Sequence, residues 1–436
     1  MRERLLRAAH CALTATSLAV GAGASAQEAA RPITLDEAVR LAQRNAPLAV
    51  QARGQLRVTD ANVRGAYAAF LPDVNLNMSR SWEGGTRTVQ AGRPVGDVSP
   101  WSSSSGASLS LQLFDGGSRL YELRRARAQQ DAAEASDVNR RFQIALDVKQ
   151  AFYDGLAARE SEAAARAQLA EAQLQMQTAT ARMAAGAATK SDSLRTVIQI
   201  GNAQLALITA QNALRTAEAT LTRLVATPFP VTPVDDTLST QRIMVDSLSL
   251  EQLAVDGPSV REAAASWQVA RASQKAARSS YFPTINMSYS RSASGDDWQY
   301  GWGDPFRYST GLRFTASYPL FNRLNREEQR VTADVHEANA EAALRDARFA
   351  ARQQLTQFLG ALRTAEARIA IQTASVAAAE EDVRVQQQRY AVGASRLLDL
   401  LTSQTELNNA RAALIQARYD YRIAKAQLEA LVGRSL

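Results

Sequence analysis

The sequence predicts an α+β membrane protein: a duplicated unit of long coiled-coil helices joined to four membrane-crossing β-strands. Three observations predict it. The two halves of the 436-residue chain match at a displacement of about 207 residues. Four segments alternate polar and apolar side chains over about nine residues each, the length a tilted strand needs to cross a bilayer. The chain also has long stretches rich in Ala, Gln, Glu and Arg, with no proline between Pro100 and Pro228 and none after Pro319.

Composition narrows the function classes. With 46% hydrophobic and 21% charged residues the chain can bury a core, so it is not of the disordered class. Lysine plus arginine number 50 and aspartate plus glutamate 43, a net +7 whose signs are interleaved along the chain; no nucleic-acid partner is expected. Twenty-two glycines, 12 prolines and one cysteine exclude collagen-like and disulfide-stapled scaffolds. Two histidines leave little material for metal or general-base chemistry, and the sequence has no phosphate-binding glycine loop, so no enzyme, no cofactor and no metal site is expected. His336 falls in a predicted helix without a partner near it in sequence and reads as a surface residue.

Residues 1–26 read as an export signal. Arg2, Arg4 and Arg7 precede the apolar run Ala12 to Ala22, and Ala24-Ser25-Ala26 gives the small-x-small cleavage pattern before Gln27. The apolar run is too short to span a bilayer. Cleavage removes Cys11 and His10, leaving a mature chain without cysteine, which suits an oxidising compartment. Cys11 sits too early to become a lipid-bearing first residue, so no lipid anchor is expected.

The first repeat is placed at 27–230, a linker at 231–245 and the second repeat at 246–436. Tyr67-Ala68-Ala69-Phe70-Leu71-Pro72 is echoed by Ser279-Ser280-Tyr281-Phe282-Pro283. Arg182-x-x-x-Gly186 with Asp192 and Leu194 recurs as Arg389-x-x-x-Gly393 with Asp399 and Leu401. In each half an amphipathic helix ends at Pro72 or Pro283, because proline lacks a backbone donor and drives the residue before it out of the helical region. The run from Thr227 to Pro233, with three prolines, cannot continue a helix and opens the linker.

Two strands follow each proline. Near 74–82, Val74, Leu76, Met78 and Trp82 share one face and Asn75, Asn77, Ser79 and Ser81 the other; near 107–114, Ala107, Leu109, Leu111 and Leu113 oppose Ser108, Ser110 and Gln112. Near 284–292, Ile285, Met287 and Tyr289 oppose Asn286, Ser288 and Ser290; near 310–320, Leu312, Phe314, Ala316, Tyr318 and Leu320 oppose Arg313, Thr315 and Ser317. Aromatics lie near the ends: Trp82, Trp101, Phe114, Tyr281, Phe282, Trp298, Trp302 and Phe306. A soluble sheet with one face on a core alternates the same way. In a membrane, however, every backbone group must be paired, so the sheet must close, and four strands are too few; several copies of the chain must share one barrel with a wet Ser/Asn/Gln/Thr lumen.

From Ser118 to Ala185 and from Leu324 to Val392 the composition predicts helices of roughly 65 to 70 residues, about 100 Å long. Leu169, Ala172, Met176, Ala179 and Met183 step by three and four, a coiled-coil seam. Gly186 and Gly393 suit the left-handed position after a helix, and return helices run to about Val225 and Val432. Arginines such as Arg124, Arg125, Arg127, Arg140 and Arg141 read as solvated surface.

Three features carry a resemblance: ITLDEAVRLAQRNAPL near the mature N-terminus, the repeated helix-Pro-strand entry, and RYAVGASRLLDLLTSQTELNNAR from Arg389 to Arg411. Together they resemble the TolC-like outer-membrane efflux family over essentially the whole mature chain. The resemblance implies a homotrimer whose three sets of four strands make a 12-strand β-barrel in outer-membrane lipid, continued by an α-helical tunnel into the periplasm. It also implies two partners, a periplasmic adaptor (membrane fusion) protein and an inner-membrane pump or ABC transporter. The implied function is the exit duct of a tripartite efflux or type I secretion system. By the same resemblance Asp399 and Tyr390 stand at the channel constriction, with Thr402 where some members place a second acid and Met183 in place of the aromatic in the first repeat. Gly186, Asp192, Leu194, Gly393 and Leu400 stand at the adaptor-docking tips. Aspartate beside a turn also caps helices, so capping and pore lining are both open for Asp399, and capping is preferred for Asp192. The competing function is a periplasmic coiled-coil adaptor or scaffold with a small soluble β domain.

Overall fold

The computed structural model describes residues 30–82, 89–90, 93–94, 101–186, 188–234, 247–295 and 307–436. The export segment 1–26, linker residues 235–245 and the aromatics Trp298, Trp302 and Phe306 lie outside the described residues.

The first repeat opens with β1 (Arg31–Ile33), α1 (Leu35–Asn45) and α2 (Pro47–Ala68), then β2 (Asp73–Trp82), the two-residue strands β3 (Val89–Gln90) and β4 (Arg93–Pro94), and β5 (Trp101–Phe114). It closes with α3 (Ser118–Ala184) and α4 (Lys190–Val225), and β6 (Val231–Pro233) opens the connection to the second repeat. The second repeat runs through α5 (Ser247–Val255), α6 (Pro258–Ala277), a 3₁₀ turn at Arg278–Tyr281, β7 (Thr284–Gly295), β8 (Arg307–Ser317), α7 (Asn325–Ala391) and α8 (Leu397–Val432). Helices α3 and α7 are each 67 residues, and α4 and α8 each 36.

Backbone conformation repeats as the sequence does. Gly116 and Gly117, entering α3, have φ of 66° and 85°; Arg323 and Leu324, at the matching places before α7, have 57° and 62°. Gly186 and Gly393 end α3 and α7 at 76° and 77°, and Ala226 and Gly433 end α4 and α8 at 56° and 74°. Left-handed geometry is costly for a residue with a Cβ, so its recurrence at Arg323, Leu324 and Ala226 marks turns fixed by the fold rather than by glycine.

Among the described residues two hydrophobic clusters form the core, each built mainly from one repeat, with Tyr419 of α8 joining the first. The first joins Phe152, Val148 and Ile144 of α3 to Leu221 and Val225 of α4, with Ile33 and Val231 from the parallel pair β1–β6. The second joins Leu250 and Ala254 of α5 to Leu344 and Leu355 of α7 and Leu428 and Leu431 of α8. Elsewhere the helices meet along thin seams. Ala165, Ala172 and Ala179 of α3 are buried at seven-residue spacing, so the small side chains bring the backbones close without a wide apolar stripe. Met176 of the predicted seam is instead exposed.

Residues 231–233, read as linker from their prolines, pair in parallel with Arg31–Ile33 and are largely buried. This pairing is invisible in local sequence because the partners lie at opposite ends of the repeat. Strand β5 begins at Trp101, earlier than the alternating run near 107–114. Ser102 to Ser105 carry no apolar alternation, yet they pair with Met78 to Ser81 of β2. Strand β8 spans Arg307–Ser317 and stops short of Leu320, because Pro319 has no N–H to donate to a ladder.

Candidate functional site: a sheet with open edges and two helical tips

The four long strands form one antiparallel sheet in the order β2-β5-β7-β8, and the two repeats meet at the central pair β5–β7. A register shift between Gln112 and Phe114 marks where β5 turns toward α3. Edge strands β2 and β8 are exposed on both faces. On one face stand Val74, Leu76 and Met78 of β2 and Leu312 and Phe314 of β8; Leu76 is 71% exposed and Phe314 61%. On the other, hydroxyls pair across strands, Ser79 Oγ with Ser104 Oγ at 2.7 Å and Ser81 Oγ with Ser102 Oγ at 2.8 Å, and Arg313 lies opposite Ser288. A sheet with an apolar band on one face, a hydroxylated other face and two unpaired edges leaves most of both faces uncovered by its own chain. Among the described residues no helix is long and apolar enough to cross a membrane.

Where the strands give way to helices, Asp115 ties the turn. Its carboxylate accepts from the Gly117 and Arg119 amides at 3.0 and 2.9 Å and from Arg119 Nε at 2.8 Å. Burial pushes this carboxyl up, but the hydrogen bonds and charge of Arg119 outweigh it, and the net pKa lies below the ordinary 3.8. Asn322 stands at the matching place before α7, where Asn325 N–H donates to its carbonyl at 3.2 Å, as Ser118 N–H donates to Asp115 at 3.2 Å.

The far ends of the long helices carry the residues predicted at the constriction and the tips. Asp192 and Thr189 form a reciprocal capping box at the start of α4: Asp192 N–H donates to Thr189 Oγ1 at 3.2 Å and Thr189 N–H to Asp192 Oδ2 at 3.1 Å. Asp399 takes the same position in α8 and accepts from Arg396 N–H at 3.1 Å, but arginine has no acceptor to return the bond. Both aspartates cap; Asp399 is exposed and Asp192 half-buried. Leu194 is exposed at 56%. Leu400 is 3% exposed and packs within the chain, whereas Leu398 on the same turn is 50% exposed.

Tyr390 is half-buried at the end of α7. The Arg182 guanidinium carbon stands 4.6 Å from its ring centre, and Arg182 donates to the Tyr390 carbonyl and to the Ala391 carbonyl, the latter at 3.2 Å. The Tyr390 carbonyl also accepts from Gly393 N–H at 3.1 Å, whereas the Ala391 carbonyl is of the kind a helix end leaves over, and a cation there also meets the negative end of the helix dipole. Burial raises the Tyr390 phenol pKa, with Arg182 opposing and Asp192 adding to the rise. The Arg182 contact joins the α3–α4 tip to the α7–α8 tip. The sequence marked Arg182 as part of a repeated motif but assigned it no role, since its partners are main-chain atoms about 200 residues away and leave no sequence signature. Farther up, Gln404 donates to Glu171 at 3.1 Å, again linking α8 to α3.

The sequence pattern of the outer membrane efflux proteins matches residues 38–227 and 250–434. The chain belongs to that family. It is 28% identical over 389 residues to protein CyaE of Bordetella pertussis, covering 87% of this chain and 79% of that protein. It is 24% identical over 439 residues to the outer membrane efflux protein BepC of Brucella suis, covering 100% and 92%. The fold superposes on the crystal structure of the outer membrane protein VceC of Vibrio cholerae with a TM-score of 0.77 at 17% identity, over 92% of this chain and 96% of that one. As an efflux-family member the chain is an outer-membrane protein whose helices reach into the periplasm, and the reading as a soluble scaffold is set aside.

Proposed function

We propose that three copies of the chain close their sheets, edge β8 against edge β2, into a twelve-strand barrel, and that this homotrimer is a passive exit duct. The observation that carries the proposal is the open, two-faced sheet. Its edge donors and acceptors require partners in a membrane, and its apolar face requires lipid. The duplicated units are taken as 27–230 and 246–436 around the 231–245 connection. The duct serves a tripartite efflux or type I secretion system, meeting a periplasmic adaptor through the tips at Gly186, Asp192, Leu194, Gly393 and Leu400, with Leu398 the exposed leucine of that turn. Through the adaptor it meets an inner-membrane pump or ABC transporter, which selects the cargo.

In this reading Asp399 and Tyr390 stand at the constriction, Asp399 as a three-fold ring of acid and Tyr390 as the aromatic held by Arg182. The aspartate does two jobs there, capping α8 through one carboxylate oxygen and presenting charge to the pore. Planar-bilayer recording of Asp399→Ala tests it: the proposal expects weaker cation preference and weaker block by multivalent cations than in the unmodified channel. Unchanged selectivity and block exclude the ring. A protein that inserts no channels at all contradicts the exit-duct reading itself.

A further inference from the structure

The two repeats place an arginine on the apolar face of the sheet at the same station. Arg80 and Arg291 are each the eighth residue of their strands, β2 and β7. Arg80 lies opposite Ser103 of β5 and Arg291 opposite Thr310 of β8. Two residues along, on the same face, are Trp101 and Tyr308. The guanidinium carbons stand 4.7 Å from the Trp101 ring centre and 5.9 Å from that of Tyr308. One device of arginine, hydroxyl and aromatic is thus built twice, with Ser103 and Trp101 recurring as Thr310 and Tyr308 at the repeat spacing of about 207 residues.

Its position is unusual for a cation. Val74, Leu76, Met78 and Trp82 share the face of Arg80, and Ile285, Met287 and Tyr289 that of Arg291. An arginine on a lipid face costs about 2–4 kcal/mol at the midplane and about 0–1 near the interface. Both arginines lie toward the strand ends remote from the helices, and both are exposed. No Asp or Glu occupies the apolar face of the four strands, and no carboxylate among the described residues pairs with either arginine. A guanidinium stacked on a ring keeps its edge donors for oxygen acceptors, and its planar fork fits phosphate.

We propose that Arg80 with Trp101, and Arg291 with Tyr308, form two equivalent sites per chain for the phosphate of an outer-leaflet lipid headgroup. The inference rests on this face being lipid-facing. A lipid is favoured over a free anion because Met78 and Tyr289 continue each site along the strand, where an acyl chain lies.

The purified protein in detergent is titrated with phosphorylated lipid A, with its dephosphorylated form and with inorganic phosphate. Native mass spectrometry reads the number bound, and gel migration reads the temperature at which the oligomer dissociates. The unmodified protein binds up to two phosphorylated lipids per chain and dissociates at higher temperature with them. R80Q and R291Q each keep one site and halve that number, R80Q/R291Q binds roughly tenfold more weakly, and R80K/R291K recovers part of the loss. Full binding by R80Q/R291Q or by both single variants, or equal stabilisation by dephosphorylated lipid or inorganic phosphate, overturns the proposal. Bilayer conductance of each variant is measured alongside, so that loss of a lipid site on a conducting channel is distinguished from failure of the channel.

Discussion

At Arg182 one side chain bridges the ends of the two helical hairpins, donating to the Tyr390 and Ala391 carbonyls. Arg182→Ala removes the stacked cation and the side-chain donor to the Ala391 carbonyl, while the Tyr390 carbonyl keeps Gly393 N–H, so the tips should part more readily; single-channel conductance should rise above that of the unmodified protein, and Arg182→Lys, which keeps the charge but loses the fork, should fall between. Equal conductance in all three would remove the contact from the closure. Asp115 carries a different prediction. Its folded pKa lies below 3.8, so the stability it supplies is complete above the unfolded value and is lost as pH falls from there through the lower folded value. Acid titration of Asp115→Asn should lack that loss, while the unmodified protein shows it; identical acid profiles would contradict the assignment.

Among the elements, the long helices were legible almost to the residue, because proline-free stretches of strong helix formers ended at Gly186 and Gly393, which adopt φ near 76°. The strands were legible where apolar and polar residues alternate and not where they do not. Ser102 to Ser105 joined β5 only through the partner strand, and Val231–Pro233 became a strand only through Arg31–Ile33. Among the candidate site residues, the capping positions of Asp192 and Asp399 were legible from their spacing after a turn, whereas the burial of Leu400 depends on packing between helices and Arg182 was missed because its partners are main-chain carbonyls. The helix ends supply a stability test. Ala226 holds φ of 56° where the second repeat has Gly433, so Ala226→Gly should stabilise the fold by about 1 kcal/mol, measured by thermal unfolding, whereas Gly433→Ala adds both strain and a Cβ 2.8 Å from Pro258 Cγ and should destabilise it. In the first core, Phe152→Ala should cost about 3–5 kcal/mol, since the side chain is enclosed by α4 and the β1–β6 pair.

For the whole molecule, the order of elements follows from one constraint. The sheet can lie in a membrane only if its edges close, and among the described residues no helix is long and apolar enough to cross one, so the helices belong in water. A single chain supplies four strands, two of them unpaired at an edge. The most direct measurement is the copy number of the protein extracted from outer membranes with detergent, read by native mass spectrometry. Three chains per particle is the predicted result; a single chain that stays dispersed in buffer without detergent would contradict the account.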